Sequence, residues 1–303
     1  MIHEHARWLQ NGACVAGGHG AGNQLNQLFF PEGLAIDGDA NLYIADWWNN
    51  RIIEREKAKN NIRIVLDQSQ NRDEFESIFQ PTSVIIDREF GSLVIAENGR
   101  RRVLQLSCQD STIKVETLIE KTRCWGLAID EQGNVYVTDI EEHEVRRYVR
   151  GKTMTKGEIV AGGNGPGSRD DQLNSPRFVY VDSEMSVYVS DQENHRIMKW
   201  VKGATVGIRV AGGYDAGQDL AHLWYPSGIV VDKAGVIYVA DTQNHRVLRW
   251  RQNKHEGELI AGGRGRGAGE NQLDEPKGLC FDDFGNMYVT DKNNHRILCF
   301  EIR

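Results

Sequence analysis

The chain has 303 residues with 43 acidic and 36 basic side chains, which gives a formal net charge of −7 at pH 7. Nucleic-acid-binding modules usually present a net basic face because phosphate contacts dominate their affinity, so this balance disfavours nucleic acid as a partner. No apolar run approaches the roughly 20 residues of a membrane-spanning helix, and we expect no membrane insertion. The first residues, Met1 to Arg7, lack the apolar core of a signal peptide. The sequence is therefore consistent with a location in the cytoplasm or, if a leader has been removed, outside the cell.

In chain order, the first predicted strand is Ala13 to Gly18, and it stands before a pattern that the chain repeats six times. Each copy has an apolar run that ends at an aspartate, a turn, a second apolar run that ends at another acidic residue, a polar loop and a third run. Short runs separated by turn residues predict a three-stranded meander. The first aspartate of each copy stands at positions 37, 87, 130, 182, 232 and 282. This spacing, about 50 residues, predicts a propeller or a solenoid.

A fourth apolar run follows each of the first five meanders. It is clearest at residues 158–163, 208–213 and 258–263, with weaker equivalents at 62–66 and 115–119. Four strands per repeat is the content of a propeller blade, whereas a solenoid would need capping repeats that this chain does not show. We therefore predict an all-β fold, a six-bladed β-propeller of four-stranded antiparallel blades.

The sixth meander ends at the C-terminus without a fourth run. We expect residues 12–17 to supply the outermost strand of the blade that residues 277–302 begin, because closing the ring removes exposed sheet edges. The unbroken repeat also favours a single domain over residues 1–303, with about 11–302 in the ring and 1–10 as an N-terminal tail. We expect this domain to be a monomer.

These residues resemble the NHL-repeat family. The match is a Pro-x-Gly segment that ends in Asp, a Gly-Asn-x-Tyr-Val-x-Asp segment and an Asn-His-Arg segment; the fifth copy carries the first from Pro226 to Asp232 and the last from Asn244. The resemblance extends over nearly the whole chain and implies the propeller fold. NHL propellers serve as protein-binding platforms, RNA-binding modules and extracellular sensor domains. A related amidating-lyase family places a metal site in its channel.

The acidic, histidine and arginine residues around the loop between the second and third strands recur in most copies. One ring rarely needs six active sites, so we interpret them as scaffold in which the acid caps the loop and pairs with the arginine or histidine, because buried charges persist only when paired. Two copies depart from the pattern, with Glu97 in place of Asp and Glu144 in place of Arg. In the third copy we expect a neighbouring basic residue to pair with Asp139 instead: His143, Arg146 or Arg147.

The residues that follow each Pro position would surround one end of the central channel. They are Glu32, Thr82, Trp125, Arg177, Ser227 and Lys277. One carboxylate beside two cations would repel a metal ion, whereas hard-metal sites need converging oxygen ligands, so we expect no metal and no cofactor. We also find no nucleophile and base that can be paired from the sequence. A propeller enzyme of the lyase or lactonase kind, with its site in this channel, remains the alternative to a non-catalytic scaffold.

Large apolar residues occupy variable positions on the face where the strand 2–3 loops emerge. Exposed aromatic clusters often mark binding sites. We therefore predict that this face, together with the channel end, binds a protein or an extended ligand. The candidate residues are Trp47, Trp48, Phe29, Phe30, Phe79, Trp125, Arg177, Trp224 and Tyr225. The aromatic residues before each proline could instead fold back over the blade junctions as core.

Two of the five cysteines, Cys14 and Cys299, should lie on neighbouring strands if the ring closes as described. They could form a cross-strand disulfide in an oxidising compartment, which requires Cα atoms within about 7 Å. The alternative is a pair of buried free thiols.

Overall fold

The computed structural model describes residues 2, 6–68, 77–109, 112–151 and 156–303, and it shows six four-stranded antiparallel sheets arranged as the blades of a ring. The predicted six-bladed β-propeller is therefore confirmed. Strand β1 comprises Ala13–Gly17. In the first three blades the strands, listed from the channel outward, are β2 Pro31–Ile36, β3 Leu42–Asp46, β4 Arg51–Glu56 and β5 Asn61–Asp67; β6 Pro81–Asp87, β7 Ser92–Glu97, β8 Arg102–Gln109 and β9 Thr112–Glu120; β10 Cys124–Ile129, β11 Val135–Asp139, β12 Glu144–Tyr148 and β13 Glu158–Gly162.

The remaining blades have the same order. Their strands are β14 Pro176–Val181, β15 Val187–Asp191, β16 Arg196–Trp200 and β17 Ile208–Ala211; β18 Pro226–Val231, β19 Ile237–Asp241, β20 Arg246–Trp250 and β21 Glu258–Gly262; β22 Pro276–Phe281, β23 Met287–Asp291 and β24 Arg296–Phe300. Single turns of 3-10 helix fill three of the strand 2–3 loops, at Gln192–Asn194, Thr242–Asn244 and Lys292–Asn294. We call the side of the ring that carries these loops the loop face, and the other side the reverse face.

The ring closes as the sequence predicts. Strand β1 pairs antiparallel with β24 and is the outermost strand of the sixth blade, with Ala13 opposite Cys299. The pairing continues past β1, because Leu9 donates its backbone N–H to Glu301 O at 2.8 Å and Arg303 donates to Arg7 O at 2.7 Å. The first and last parts of the chain therefore form one sheet.

Residues before the ring, which the sequence assigns to a tail, also pack against it. Trp8 is 3% exposed and Ala6 is buried beside it. The indole of Trp8 packs against the rings of both Tyr238 in the fifth blade and Phe281 in the sixth, and the guanidinium of Arg249 donates to Ala6 O at 2.9 Å. Residues 6–9 thus cover the seam between the last two blades.

Apolar side chains between neighbouring blades form the core, and one example joins Val94 and Val103 of the second blade to Leu127 of the third. The glycine of the Pro-x-Gly segment allows the inner strands to approach closely. A Cβ atom on Gly228 would lie 2.3 Å from the carbonyl oxygen of Lys277 in the next blade. The residue after each proline lies next to such a close approach. The residues at the channel end of adjacent blades are therefore near one another.

Candidate functional site

The recurring acid–arginine pairs are structural. Asp241, which is fully buried, accepts a hydrogen bond from Arg246 Nε at 2.7 Å. The guanidinium also donates to the carbonyl oxygens of Gln218 and Asp219, both at 2.6 Å, and so ties the preceding loop to the blade. Equivalent pairs join Asp46 to Arg51, Glu97 to Arg102, Asp191 to Arg196, and Asp291 to Arg296. The predicted pairing of the acid with the arginine is confirmed for these five blades.

The histidines of the repeat have a different partner from the one that the sequence suggests. His295 lies in the left-handed region with φ of 54°, and its Nδ1 accepts the backbone N–H of Phe30 in the next blade at 3.2 Å. His143, His195 and His245 make the same inter-blade contact. In the first blade, Asn50 takes this role and accepts the N–H of Gln80 through Oδ1 at 2.8 Å. Each of these side chains therefore clamps one blade to the entry of the next.

The third blade does not restore its ion pair as expected. Arg146 pairs with the buried Glu144, and burial raises the pKa of that carboxyl group. Asp139 accepts the backbone N–H groups of Glu141 and Glu142 at 2.9 and 3.2 Å, and no ion pair to it is found within the described part of the chain. The prediction that a nearby basic side chain takes over Asp139 was wrong, because Glu144 itself attracts the nearest arginine.

The disulfide hypothesis was also wrong, since Cys14 and Cys299 are free thiols. The register places Cys14 opposite Leu298, whereas Cys299 lies opposite Ala13. Successive side chains of a strand point to opposite faces, so a one-residue offset directs the two thiols to different sides of the blade. Cys14 is exposed and Cys299 is buried, so the alternative of two buried free thiols holds in full only for Cys299.

One end of the central channel opens at the centre of the loop face, and its lining is the candidate functional site. We call the six residues after the Pro positions the mouth ring, and its members are Glu32, Thr82, Trp125, Arg177, Ser227 and Lys277. In the fourth, fifth and sixth blades, the residue that starts the strand 2–3 loop contacts this ring. Gln192 accepts a hydrogen bond from Arg177 Nε at 2.7 Å and donates one to Ser227 Oγ at 3.3 Å. Thr242 donates to Pro276 O at 2.8 Å.

The charges of the mouth ring are unevenly paired. Glu32 is 1% exposed, and one of its carboxylate oxygens lies 2.6 Å from the ammonium nitrogen of Lys292. The guanidinium of Arg177 stacks on the ring of Trp125, with Cζ 3.8 Å from the centroid. Burial lowers the pKa of Arg177 and lowers the pKa of Lys277 to about 8. The mouth therefore combines one engaged carboxylate with cations that are held in a poorly solvated place.

Four of the nine predicted aromatic and basic site residues form one cluster, which we call the aromatic cluster. It contains Phe29, Phe30, Trp47 and Trp48. Ring centroids are separated by 5.0 Å between Phe29 and Phe30, by 5.4 Å between Phe29 and Trp48, and by 5.5 Å between the two tryptophans. Trp48 is 52% exposed, and the other three are partly buried. Lys292 lies over Phe30 and Trp47, so the cluster borders the mouth ring directly.

The other predicted residues lie apart from this cluster. Trp125 and Arg177 form the stacked pair of the mouth ring. Phe79 packs under Arg100, with the guanidinium 5.9 Å from its ring. Tyr225 stacks edge-on against His195 at 4.7 Å. Trp224 and Tyr225 are partly buried at the junction between the fourth and fifth blades, which fits the alternative that residues before proline cover the blade junctions.

Sequence reasoning missed Lys292, Gln192 and Thr242, which complete the mouth. Their signal was available, because each follows the acidic residue that ends a second strand, as Trp47 does in the first blade. Unlike Trp47, these polar side chains lack the apolar character that indicates a binding surface. In the described residues no group of three or more histidine, cysteine, aspartate or glutamate side chains is placed to hold a metal ion. Within the same residues no helix is both long enough and apolar enough to cross a membrane.

Comparison with known proteins supports the repeat. A family model described as the NHL repeat matches residues 223–250 and 273–300. A comparison with curated proteins gives no match.

Solved structures share the fold. An auxiliary nutrient binding protein from Bacteroides thetaiotaomicron has a TM-score of 0.75 at 15% identity, over 98% of this chain and 77% of that one. A gluconolactonase from Xanthomonas campestris has a TM-score of 0.67 at 15% identity, over 99% and 91%. A catalytically inactive virginiamycin B lyase from Staphylococcus aureus has a TM-score of 0.62 at 14% identity, over 92% and 97%. At these identities the likeness is one of fold.

Proposed function

This chain belongs to the NHL-repeat β-propellers, and we propose that it is a non-catalytic scaffold whose loop face binds a protein or another extended ligand. The observation that carries the proposal is the aromatic cluster, where Trp48 remains 52% exposed although it contacts Phe29, Phe30 and Trp47. Isolated exposed apolar residues are common, but exposing a contiguous group of aromatic side chains does not contribute to folding, and such groups often mark binding sites. Aromatic anchors of this kind dominate binding energetics.

The cluster also offers a polar contact. The indole Nε1 of Trp47 is shielded from solvent and has no acceptor within the described chain. Buried donors normally find a partner, and an unmade hydrogen bond costs about 1–3 kcal/mol. A ligand that inserts an acceptor beside Trp47 would remove this cost. The fold likeness to a nutrient binding protein is compatible with a binding role.

A double variant, Trp47→Ala with Trp48→Ala, tests the proposal. We expect it to keep the wild-type melting temperature within a few degrees and to lose binding to ligands that the wild type selects from peptide and glycan arrays. The matched control is Phe90→Ala with Phe284→Ala, which removes two exposed aromatic side chains from the reverse face. Equal binding by the wild type and the tryptophan double variant, or the absence of any selected ligand, would count against the scaffold.

The second candidate is a channel enzyme of the lyase or lactonase kind. It is favoured by the fold likeness to a gluconolactonase and to virginiamycin B lyase. The mouth ring offers the single carboxylate of Glu32 beside Lys292 and Lys277, a donor set that does not suit a divalent cation. Hydrolysis of gluconolactone above the buffer rate, abolished by both Glu32→Gln and Lys277→Met, would replace the scaffold with this enzyme.

A further inference from the structure

Two cations of the mouth ring have no anionic partner. Lys277 is partly buried at the channel mouth, and no hydrogen bond or ion pair joins its ammonium group to any residue that the structure describes. The Nη1 atom of Arg177 is buried and also has no acceptor within those residues. Charges that are removed from water are costly unless they are paired. The mouth therefore holds positive charge whose cost an incoming anion would offset.

The carboxylates nearby do not meet this need. Glu32 forms an ion pair with Lys292 at 2.6 Å, although neither of its carboxylate oxygens accepts a hydrogen bond from the described residues. Glu275 accepts a hydrogen bond from Gln243 at 3.1 Å, and Glu193 is exposed at the rim. The charged groups that act on Lys277 are Glu32, Glu275, Lys292 and Arg177. Those that act on Arg177 are Glu32, Glu193 and Arg123. No acid among them lies within ion-pair distance of Lys277.

Hydrogen bonds connect the guanidinium of Arg177 to the backbone beside Lys277. Starting at Arg177 in the fourth blade, the chain of contacts passes through Gln192 to Ser227 in the fifth blade, at 2.7 and 3.3 Å. The hydroxyl groups of Ser227 and Thr242 lie 3.0 Å apart, and Thr242 donates its proton to Pro276 O at 2.8 Å. Pro276 immediately precedes Lys277 in β22. The guanidinium of Arg177 is thus linked to the backbone that carries Lys277, and a guanidinium held in place in this way loses little entropy when it binds a ligand.

We propose that Lys277 and Arg177 form a binding site for a compact oxyanion, a carboxylate or a phosphate group, at the mouth of the channel. The proposal deepens the function proposed above, since it rests on the loop face as a ligand-binding surface and gives the chemistry of the ligand there. The anionic group would lie at the channel mouth, while an apolar part of the same ligand would reach the aromatic cluster past Lys292. Charge-assisted hydrogen bonds to both cations would hold the oxyanion.

Binding should depend on pH with a defined sign. Only the protonated ammonium of Lys277 attracts an anion, and burial lowers its pKa to about 8 in the free protein. Affinity for acetate, which stays ionised above about pH 6, should therefore be constant from there to about pH 8 and fall as the pH rises further. The variant Lys277→Arg keeps the charge at all these values, so its affinity should not fall over the same range.

The experiment titrates the full chain with inorganic phosphate and, separately, with acetate, at an ionic strength held constant with chloride. Binding is followed by calorimetry and by the rise in melting temperature. We expect saturable binding of at least one probe by the wild type, and a loss of at least about tenfold in affinity for Lys277→Met, the effect of removing one charge-assisted hydrogen bond. Lys277→Met should itself fold and melt no lower than the wild type, since it removes an unpaired charge. Lys233→Met, on an exposed turn of the reverse face, is the control and should bind as the wild type does.

The two probes distinguish a phosphate ligand from a carboxylate ligand. Binding of phosphate, of acetate or of both supports the site, and the probe that binds identifies the chemical group. The proposal is overturned if neither probe binds the wild type above the effect of chloride, or if Lys277→Met binds as tightly as the wild type. The Trp47→Ala and Trp48→Ala double variant should still bind the small probes. Loss of extended-ligand binding with retention of phosphate or acetate binding would thus distinguish the aromatic cluster from the oxyanion site.

Discussion

Replacing Trp8 by alanine tests whether the segment before the ring is part of the folded domain. The side chain is 3% exposed, its ring lies 5.8 Å from those of both Tyr238 and Phe281, and its indole N–H donates to Gly285 O at 2.9 Å. Truncating a buried tryptophan costs about 3–5 kcal/mol, because packing contacts are lost and a cavity remains. We expect Trp8→Ala to lower the free energy of unfolding by that amount and the melting temperature by roughly 6–15 °C.

Urea unfolding followed by far-ultraviolet circular dichroism measures this change, and two variants calibrate it. Trp8→Phe keeps an aromatic ring but loses the hydrogen bond to Gly285, so we expect a smaller loss, about 1–2 kcal/mol. Phe284→Ala removes a side chain that is 76% exposed in the same turn, and it should change stability by no more than about 0.5 kcal/mol. If Trp8→Ala were no more destabilising than Phe284→Ala, residues 6–9 would not cover the blade seam and the reasoning would fail.

Three further predictions concern the scaffold. Burial lowers the pKa of His295, so the unfolded chain takes up the proton first, and the stability of the fold should decrease as the pH drops below about 6.5. The variant His295→Asn keeps a hydrogen-bond acceptor but does not titrate, so its melting temperature should decrease less than that of the wild type between pH 8 and pH 5. Arg246→Met leaves the buried Asp241 unpaired and should cost about 3–5 kcal/mol in urea unfolding. Gly228→Ala would place a Cβ atom 2.3 Å from a neighbouring carbonyl oxygen and should cost at least about 1–3 kcal/mol, whereas Gly38→Ala, with open space around it, should be near neutral.

The ring could be predicted because its determinants are local and repeated. The aspartates that end the first runs mark six blades, and one surplus strand at the N-terminus accounts for the strand that the sixth blade lacks. The acid–arginine pairs could also be inferred, because Asp241 and Arg246 are five residues apart in one loop. Neither inference needs knowledge of how one blade sits against another.

The features that the sequence could not predict depend on contacts between distant parts of the chain. Cys14 and Cys299 were placed on the correct pair of strands, but the register between them depends on a bulge in β1, and an offset of one residue reverses the side on which a thiol lies. Glu32 and Lys292 meet only because the ring brings the first and sixth blades together. Trp8 has no repeat position at all, so no periodic pattern could show that it is buried.

Closure by the first and last strands also determines when the domain can be completed during synthesis. Trp8 and Gly285, which share a hydrogen bond, are 277 residues apart in the sequence. At about 5–20 residues per second, the ribosome needs on the order of tens of seconds to make the interval between them. Throughout that time β1 has no partner, and each newly formed blade leaves a seam open to other chains. The seam of the sixth blade is thus the last to form, and we expect domain exchange between nascent copies to begin there.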